Sequence, residues 1–151
     1  MLTQDRTIFR EARTPDDRQI ARAIREHVFV EEQAIPAALV HDGLDAASLH
    51  VLALYDGVPA ATGRLSVSTD GEGVIARIAV LPPYRGKGLG QGVVRCLESL
   101  ARREGIHRVS LLPHDYLETF YENMGYVTMP GSTVVGTHRL ITMTKTLADP
   151  E

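Results

Sequence analysis

The chain has 151 residues, of which 44% are hydrophobic and 23% are charged, and its formal net charge is −3 at pH 7. This length suits one domain with its own core, so we expect a single domain over residues 1–151. The slightly acidic balance does not favour nucleic-acid binding, the apolar content excludes a disordered chain, and no apolar run is long enough to span a bilayer. The single cysteine, Cys96, has no partner for an internal disulfide, and residues 1–10 do not resemble a signal peptide. We therefore expect a cytoplasmic protein that binds neither nucleic acid nor membrane.

The first part of the chain predicts a strand, a helix and a loop. A short edge strand is expected at residues 8–12. Thr14 followed by Pro15 is typical of a helix start, and apolar residues at helical spacing predict one helix that reaches Gln33. No clear period follows, so residues 34–47 are predicted to be a loop with at most one helical turn.

The next part predicts an antiparallel meander. Asp56-Gly57 is typical of a two-residue hairpin turn. Pro82-Pro83 ends the last strand of the meander because proline has no N–H to donate to a neighbouring strand. The predicted strands are residues 49–55, 59–68 and 74–81.

The spacing of the apolar residues then alternates between helix and strand. A helix is predicted to end at Gly105, and a second, shorter helix begins with an Asp115/Glu118 capping box and ends at Gly125. This order predicts an α/β fold with a mixed, mostly antiparallel sheet of six or seven strands and helices on both faces. The remaining predicted strands are residues 109–112, 126–129 and 137–147.

A glycine-rich loop, residues 85–90, separates the meander from the first of these helices and reads Arg-Gly-Lys-Gly-Leu-Gly. Glycines let successive backbone N–H groups point into one concavity, and the helix start adds its own N–H groups and dipole. We interpret the loop as a pyrophosphate site, with a purely structural turn as the alternative. A nucleotide P-loop does not fit, because Gly88 and not Ser or Thr follows Lys87. The dinucleotide motif does not fit either, because Gln91 or Val93 occupies its third glycine position.

Two motifs resemble the GNAT superfamily, the Gcn5-related N-acetyltransferases. Arg85-x-x-Gly88-x-Gly90 follows a strand and opens a helix, and Tyr121 is followed four residues later by Gly125-Tyr126. The order of the predicted elements agrees with that family over residues 8–147.

A finer resemblance connects the chain to the ElaA-like branch of that superfamily. It rests on residues 25–33, on Asp42, Asp45 and His50, and on residues 62–65. The chain departs from the branch at residues 134–138, where the branch has an acidic residue before an Ile-Pro-His segment.

The resemblance implies a set of residues that bind acetyl-CoA. Tyr121 would also protonate the departing thiolate, with a buried core tyrosine as the alternative. A backbone N–H near Val80 would stabilise the oxyanion. His114 would contact the pantetheine arm, with an ordinary helix-start residue as the alternative. The implied cofactor-binding residues are Ile78, Ala79, Val80, Arg85, Gly86, Lys87, Gly88, Leu89, Gly90, His114 and Tyr121.

The residues alone do not identify the group that deprotonates the acceptor. Arg64 and Arg77 lie on neighbouring predicted strands, and we expect them to pair with acidic residues on the sheet, with an acceptor carboxylate as the alternative partner. The six histidines and one cysteine show no metal-ligand spacing, so no metal is expected. The candidate general bases are Glu31, Glu32, Asp42, Glu72 and His138.

We therefore expect an acyl-CoA-dependent N-acyltransferase that uses acetyl-CoA and acts on a primary amine of a small molecule or peptide by direct attack. Two alternatives stay open: a non-catalytic acyl-CoA sensor or interaction domain, and an enzyme that uses a nucleotide. A homodimer is compatible with the sequence, which does not determine the oligomeric state.

Overall fold

The structure is a computed structural model that describes residues 6–147. The helices are α1 (Pro15–Arg25), α2 (Ala37–Val40), α3 (Leu89–Arg103) and α4 (Glu118–Glu122), with single 3-10 turns at Asp45–Ala47, Pro82–Tyr84 and Asp115–Leu117. The strands are β1 (Thr7–Glu11), β2 (Leu49–Tyr55), β3 (Val58–Val67), β4 (Gly73–Val80), β5 (Arg108–Leu111), β6 (Val127–Val135) and β7 (His138–Thr146).

The seven strands form one open sheet in the order β1-β2-β3-β4-β5-β7-β6, and only β4 and β5 are parallel. Helices cover both faces because neighbouring side chains of a strand point to opposite sides. On β2, Val51 and Ala53 belong to the core under α3, whereas Leu52 belongs to the smaller core under α1. The predicted fold class is confirmed.

Several local predictions are also confirmed. Thr14 caps α1, since its Oγ1 accepts the N–H of Asp17 at 3.0 Å. Asp56 and Gly57 have φ values of 51° and 80° and form the two-residue turn between β2 and β3. Gly105, with φ of 76°, ends α3 as predicted.

The predicted helix to Gln33 has the expected extent, but its second half is not an α-helix. The α-helical pattern ends at Arg25, and residues Glu26–Glu32 form a π-helix. The N–H of Gln33 accordingly donates to the carbonyl of Val28, five residues back, at 3.1 Å. Helical spacing does not distinguish these two hydrogen-bond patterns. The wider turn keeps Val28 in the core while Phe29 and Gln33 line the cleft described below.

Two further corrections concern the last third of the chain. The capping box is absent, because the Glu118 carboxylate accepts a hydrogen bond from Thr128 Oγ1 at 2.6 Å and neither Asp115–Leu117 nor α4 has a side-chain cap. Strand β6 continues well beyond Met129 to Val135. Its Pro130 lies where the pairing with β7 shifts register, and an edge strand tolerates proline there because one side has no partner strand.

None of the helices in residues 6–147 is both long and apolar enough to cross a membrane.

Candidate functional site

The parallel strands β4 and β5 pair over a short length and then separate. Only Gly73, Val74 and Ile75 of β4 have partners on β5, although β4 continues to Val80. The separation opens a cleft of about 1020 Å³, which is bounded by the two strands, the segment after α1 and the β6–β7 hairpin. Beyond Ile75, the backbone of β4 therefore has no strand partner on its β5 side among residues 6–147.

A bulge in β4 shapes one wall of this cleft. Thr62 of β3 faces Ala79 and Arg64 faces Ala76, so that Arg77 and Ile78 together oppose one residue. Arg77 has φ of 58°, a strained value for a residue with a Cβ.

The strained Arg77 is held by the segment around α2. Its guanidinium donates to the carbonyls of Leu39 and Val40 at 3.0 and 3.1 Å and to Asp42 at 3.1 Å. Arg64 donates to Asp42 and Asp45 at 2.9 and 3.1 Å. Both arginines pair with acidic residues as expected, but Asp42 and Asp45 lie in the segment between α2 and β2 and not on the sheet.

The glycine-rich loop presents unpaired backbone donors at the start of α3. Within residues 6–147, no acceptor pairs with the N–H groups of residues 86–91, and the first helical hydrogen bond runs from Gly92 to Gly88 at 3.1 Å. Gly86 and Gly88 have φ values of 78° and 79°, and a Cβ built on either would meet nothing within 4 Å. A concave backbone surface with converging N–H groups and open space fits a phosphate-bearing ligand.

A depression of about 330 Å³ adjoins this loop. Lys87, Gly88 and Leu89 line it, as do Gln91 and Arg95, which the sequence analysis did not identify. Gln91 and Arg95 are four residues apart in α3, which places them on one face of that helix, whereas Lys87 lies in the loop two residues before the helix begins. The interval of four residues between Gln91 and Arg95 is the sequence signal that could have found them.

Arg85 has a different partner from the one that the loop motif suggests. Its guanidinium makes two hydrogen bonds of 2.7 Å with the Glu32 carboxylate and donates from Nε to the carbonyl of Val80 at 3.0 Å. The hydrogen bond from Arg85 lowers the pKa of Glu32. Arg85 therefore fastens the loop to β4 and to the π-helix.

Tyr121 is buried at the cleft, with 5% of its surface exposed. Its ring packs edge-on against Phe120 and Tyr126, and burial raises the pKa of its hydroxyl to about 12. No group among residues 6–147 hydrogen-bonds to that hydroxyl. Ile78 also lines the cleft, whereas the Ala79 side chain is buried toward α1, so that only its backbone is available to a ligand.

Two histidines contact each other in the cleft. His114 Nε2 lies 3.0 Å from His138 Nδ1, and His138 Nε2 lies 3.3 Å from the carbonyl oxygen of Gln33. The His114 ring also stacks on Tyr116 with a centroid distance of 5.0 Å. Burial, with a smaller contribution from His138, lowers the pKa of His114. A pantetheine contact at His114 would have to use Nδ1 or the ring, since Nε2 already has a partner.

Among the five candidate general bases, only Asp42 and His138 line the cleft. The hydrogen bond from Arg64 is the main cause that lowers the pKa of Asp42 to about 2. Glu31 is exposed and pairs with His27, and Glu72 lies 3.6 Å from Arg108 outside both cavities. No group of three or more His, Cys, Asp or Glu side chains in residues 6–147 is arranged to hold a metal ion.

Comparison with known proteins identifies relatives with this fold. Residues 10–126 match the acetyltransferase (GNAT) family. A protein of Bacillus subtilis (strain 168) that is named as an acetyltransferase is 36% identical over 115 residues, which cover 74% of this chain and 78% of the relative. A crystal structure of an N-acetyltransferase from Lactobacillus plantarum superposes with a TM-score of 0.85 at 25% identity and covers 95% of this chain and 100% of its own. Escherichia coli ElaA superposes with a TM-score of 0.81 at 23% identity, over 92% and 99% of the two chains.

Proposed function

This chain belongs to the acetyltransferase (GNAT) family, and on that premise we propose that it transfers an acetyl group from acetyl-CoA to a primary amine of a small molecule or peptide. The observation that carries the proposal is the run of six N–H groups at residues 86–91 that have no acceptor within the described part of the chain, over glycines whose missing side chains leave room for a ligand. GNAT acetyltransferases use acetyl-CoA, and its pyrophosphate is an anion of the kind that such a surface binds.

We assign the cofactor contacts as follows. The loop backbone from Gly86 to Gly90 would bind the pyrophosphate, with Lys87 adding charge. On the side of β4 that β5 has left, the backbone of Ile78, Ala79 and Val80 would bind the pantetheine arm through the groups that do not already pair with β3 or with Arg85. When bound, acetyl-CoA supplies an acetyl thioester, whose C–S bond breaks as the C–N bond of the amide forms.

The chain itself would stabilise the charges that develop during this reaction. A backbone N–H near Val80, fixed by the sheet, would donate to the oxyanion. Tyr121 is neutral at pH 7 because its pKa is about 12, so its hydroxyl has a proton to donate to the thiolate. A thiol has a pKa of about 8.5, so this transfer is favourable only if the tyrosine takes up a proton from the amine nitrogen as it gives up its own. Tyr121 would then pass the proton from nitrogen to sulfur.

Substitution of Gly88 by Val tests the assignment of the loop. A side chain at Gly88 would occupy the concavity, and we expect coenzyme A affinity to fall by about tenfold or more. Gly71→Val is the matched control, because Gly71 has φ of 84° and equal space for a Cβ but lies in a turn outside both cavities. Isothermal calorimetry with coenzyme A measures both variants, with ATP and NAD as comparison ligands for the wild type.

Equal coenzyme A affinity in folded Gly88→Val and Gly71→Val would refute the loop assignment, and tighter binding of ATP or NAD would refute the cofactor. Turnover is then measured as coenzyme A release from acetyl-CoA with ethanolamine, glycine, lysine, benzylamine and spermidine. Coenzyme A binding without release in the presence of any of these amines would favour the sensor over the enzyme.

A further inference from the structure

We propose that His114, oriented by His138, is the general base that removes the proton from the acceptor ammonium. This inference rests on the proposed acetyl transfer. It assigns to a pair of histidines a task that the sequence left open among five separate residues.

Few titratable groups in the cleft can accept a proton near neutral pH. Asp42 is bonded to two arginines and Tyr121 is neutral, so neither accepts a proton readily near pH 7. Both arginines stay protonated at that pH. The histidines are left as the groups whose ordinary pKa permits exchange near neutral pH. The titratable residues that line the cleft are Asp42, Arg64, Arg77, His114, Tyr121 and His138.

The hydrogen bonds of the two histidines have a defined direction. A backbone carbonyl only accepts, so His138 Nε2 must carry the hydrogen that it shares with the Gln33 oxygen. His138 Nδ1 then has a lone pair in the neutral ring and accepts from His114 Nε2 at 3.0 Å. The remaining nitrogen, His114 Nδ1, is consequently the one without a hydrogen. The carbonyl of Gln33 thus makes His114 Nδ1 the basic atom of the pair.

The position of the His114 ring is fixed by its neighbours. It stacks on Tyr116 and meets the His138 ring edge-on at a centroid distance of 4.9 Å. Its backbone forms a bridge with Leu140 of β7, and the N–H of Ile141 donates to the preceding Pro113 carbonyl at 2.9 Å. A base held by a second residue that sets its tautomer is the usual arrangement for efficient proton removal.

The protons balance in the following way. At pH 7 an alkyl amine arrives as an ammonium ion, and His114 Nδ1 takes one proton so that nitrogen can attack. The nitrogen loses a second proton through Tyr121 to the thiolate and keeps the third in the amide. The imidazolium then releases its proton to water.

The charged or titratable groups around the two histidines are Asp115 and Tyr116 beside His114, Arg139 beside His138, the Glu32–Arg85 pair beside Gln33, and Asp42, Arg64, Arg77 and Tyr121 in the cleft.

The first test measures kcat/KM as a function of pH with acetyl-CoA and one amine, chosen from the five named above as the one that the wild type acetylates fastest. We expect His114→Gln to lower kcat/KM at pH 7 by about 10²- to 10⁴-fold. The decrease in kcat/KM at low pH, which protonation of His114 causes in the wild type, should be absent in this variant. His138→Ala should keep that decrease but shift its midpoint, because a positioning residue acts through His114. The matched control is His27→Gln, a half-exposed histidine outside both cavities, which should behave as the wild type does.

The second test needs no turnover. Histidine-selective ¹H–¹⁵N spectra of the full wild-type chain at pH 7 should show hydrogen on Nε2 of both His114 and His138 and none on either Nδ1. His138→Ala should release His114 into a mixture of tautomers.

The outcomes separate the two proposals. An unchanged pH profile in His114→Gln, or a hydrogen on His114 Nδ1 in the wild type, overturns the histidine base while acetyl transfer stands. If the wild type releases coenzyme A with none of the five amines, the proposed function is overturned, and with it the role of His114 and His138.

Discussion

At the scale of single residues, the hydroxyl of Tyr121 is held in an unusual environment. Its ring is packed in the core, yet no group among residues 6–147 hydrogen-bonds to its oxygen. The Tyr126 ring packs edge-on against the Tyr121 ring, but the Tyr126 hydroxyl does have a partner, since it donates to the buried Glu98 carboxylate at 2.6 Å. The Tyr121 hydroxyl is therefore available for the proton transfer that we propose, whereas the Tyr126 hydroxyl is used in a hydrogen bond within the fold.

We expect Tyr121→Phe to lower kcat by about 10- to 10⁴-fold with little change in the KM for acetyl-CoA. Its stability should change little, because the lost hydroxyl breaks no hydrogen bond within the described chain. The matched control, Tyr126→Phe, should instead keep kcat and lose about 1–3 kcal/mol of unfolding free energy, because a buried carboxylate loses a donor. Steady-state kinetics and urea unfolding measure both variants. Full turnover in Tyr121→Phe would assign Tyr121 to the core alone.

At the scale of the element, helix α3 places two kinds of glycine next to each other. Gly88, directly before the helix, and Gly90, in its first turn, belong to the glycine-rich loop, and a Cβ at Gly90 would meet only Val80 Cγ2 at 3.7 Å. Gly92 lies against β1, where a Cβ would come within 2.1 Å of the Phe9 ring. The start of the helix thus has open space at Gly90 and is tightly packed against the Phe9 ring at Gly92.

Gly92→Ala should therefore destabilise the protein, although alanine ordinarily favours a helix. We expect a loss of about 1–3 kcal/mol, because the partly buried Phe9 ring has to move from the position in which it packs against the core. Gly90→Ala, two residues earlier in the same helix, should be neutral or stabilise by up to about 1 kcal/mol through helix propensity. Urea unfolding of the two variants provides the comparison. Equal stability of both would mean that α3 does not pack on Phe9 as described.

At the scale of the whole molecule, a buried ion network fastens the segment around α2 to the sheet. Arg25 of α1 pairs with Asp45 at 2.6 Å, Arg64 of β3 pairs with Asp42 and Asp45, and Arg77 of β4 pairs with Asp42. Arg25 and Arg64 have only 2% and 3% of their side chains exposed, so their charges depend on these two carboxylates. The network holds the wall of the cleft that carries Leu39 and Val40.

The network predicts the response to acid. The pKa of Asp42 falls from 3.8 to about 2 on folding, so its contribution to stability is complete above about pH 4 and is lost as the pH falls through 2. Asp42→Asn should cost up to about 2 kcal/mol at pH 7 and reduce the decline of stability between pH 4 and pH 2. Urea unfolding at a series of pH values measures this difference. Glu122→Gln, a change at an exposed carboxylate at the end of α4, should leave the decline as in the wild type, and an equally steep decline in Asp42→Asn would contradict the assignment.

The order of the elements, most turns and the glycine-rich loop follow from the sequence alone. Each depends on neighbours in the chain: alternation defines a strand, Asp56-Gly57 accepts the positive φ of a tight turn, and Thr14 needs a partner only three residues away. The spacing of the loop motif and of Tyr121 with Gly125-Tyr126 was likewise sufficient for the family. Because these features depend on nearby residues, tertiary contacts shift where a helix or strand begins and ends but do not change which kind of element forms.

Only the tertiary structure decided which polar groups meet. Arg85 joins Glu32 across 53 positions and His114 joins His138 across 24, and no spacing rule relates residues so far apart. The same holds for Glu118, which bonds to Thr128 instead of capping its own helix, and for Gly92, whose missing side chain makes room for Phe9. A charged or hydrogen-bonding side chain takes the best partner within reach, and the folded sheet determines what is within reach. The assignment of Arg85 to support the loop, and of a histidine pair to the cleft, therefore had to wait for the fold.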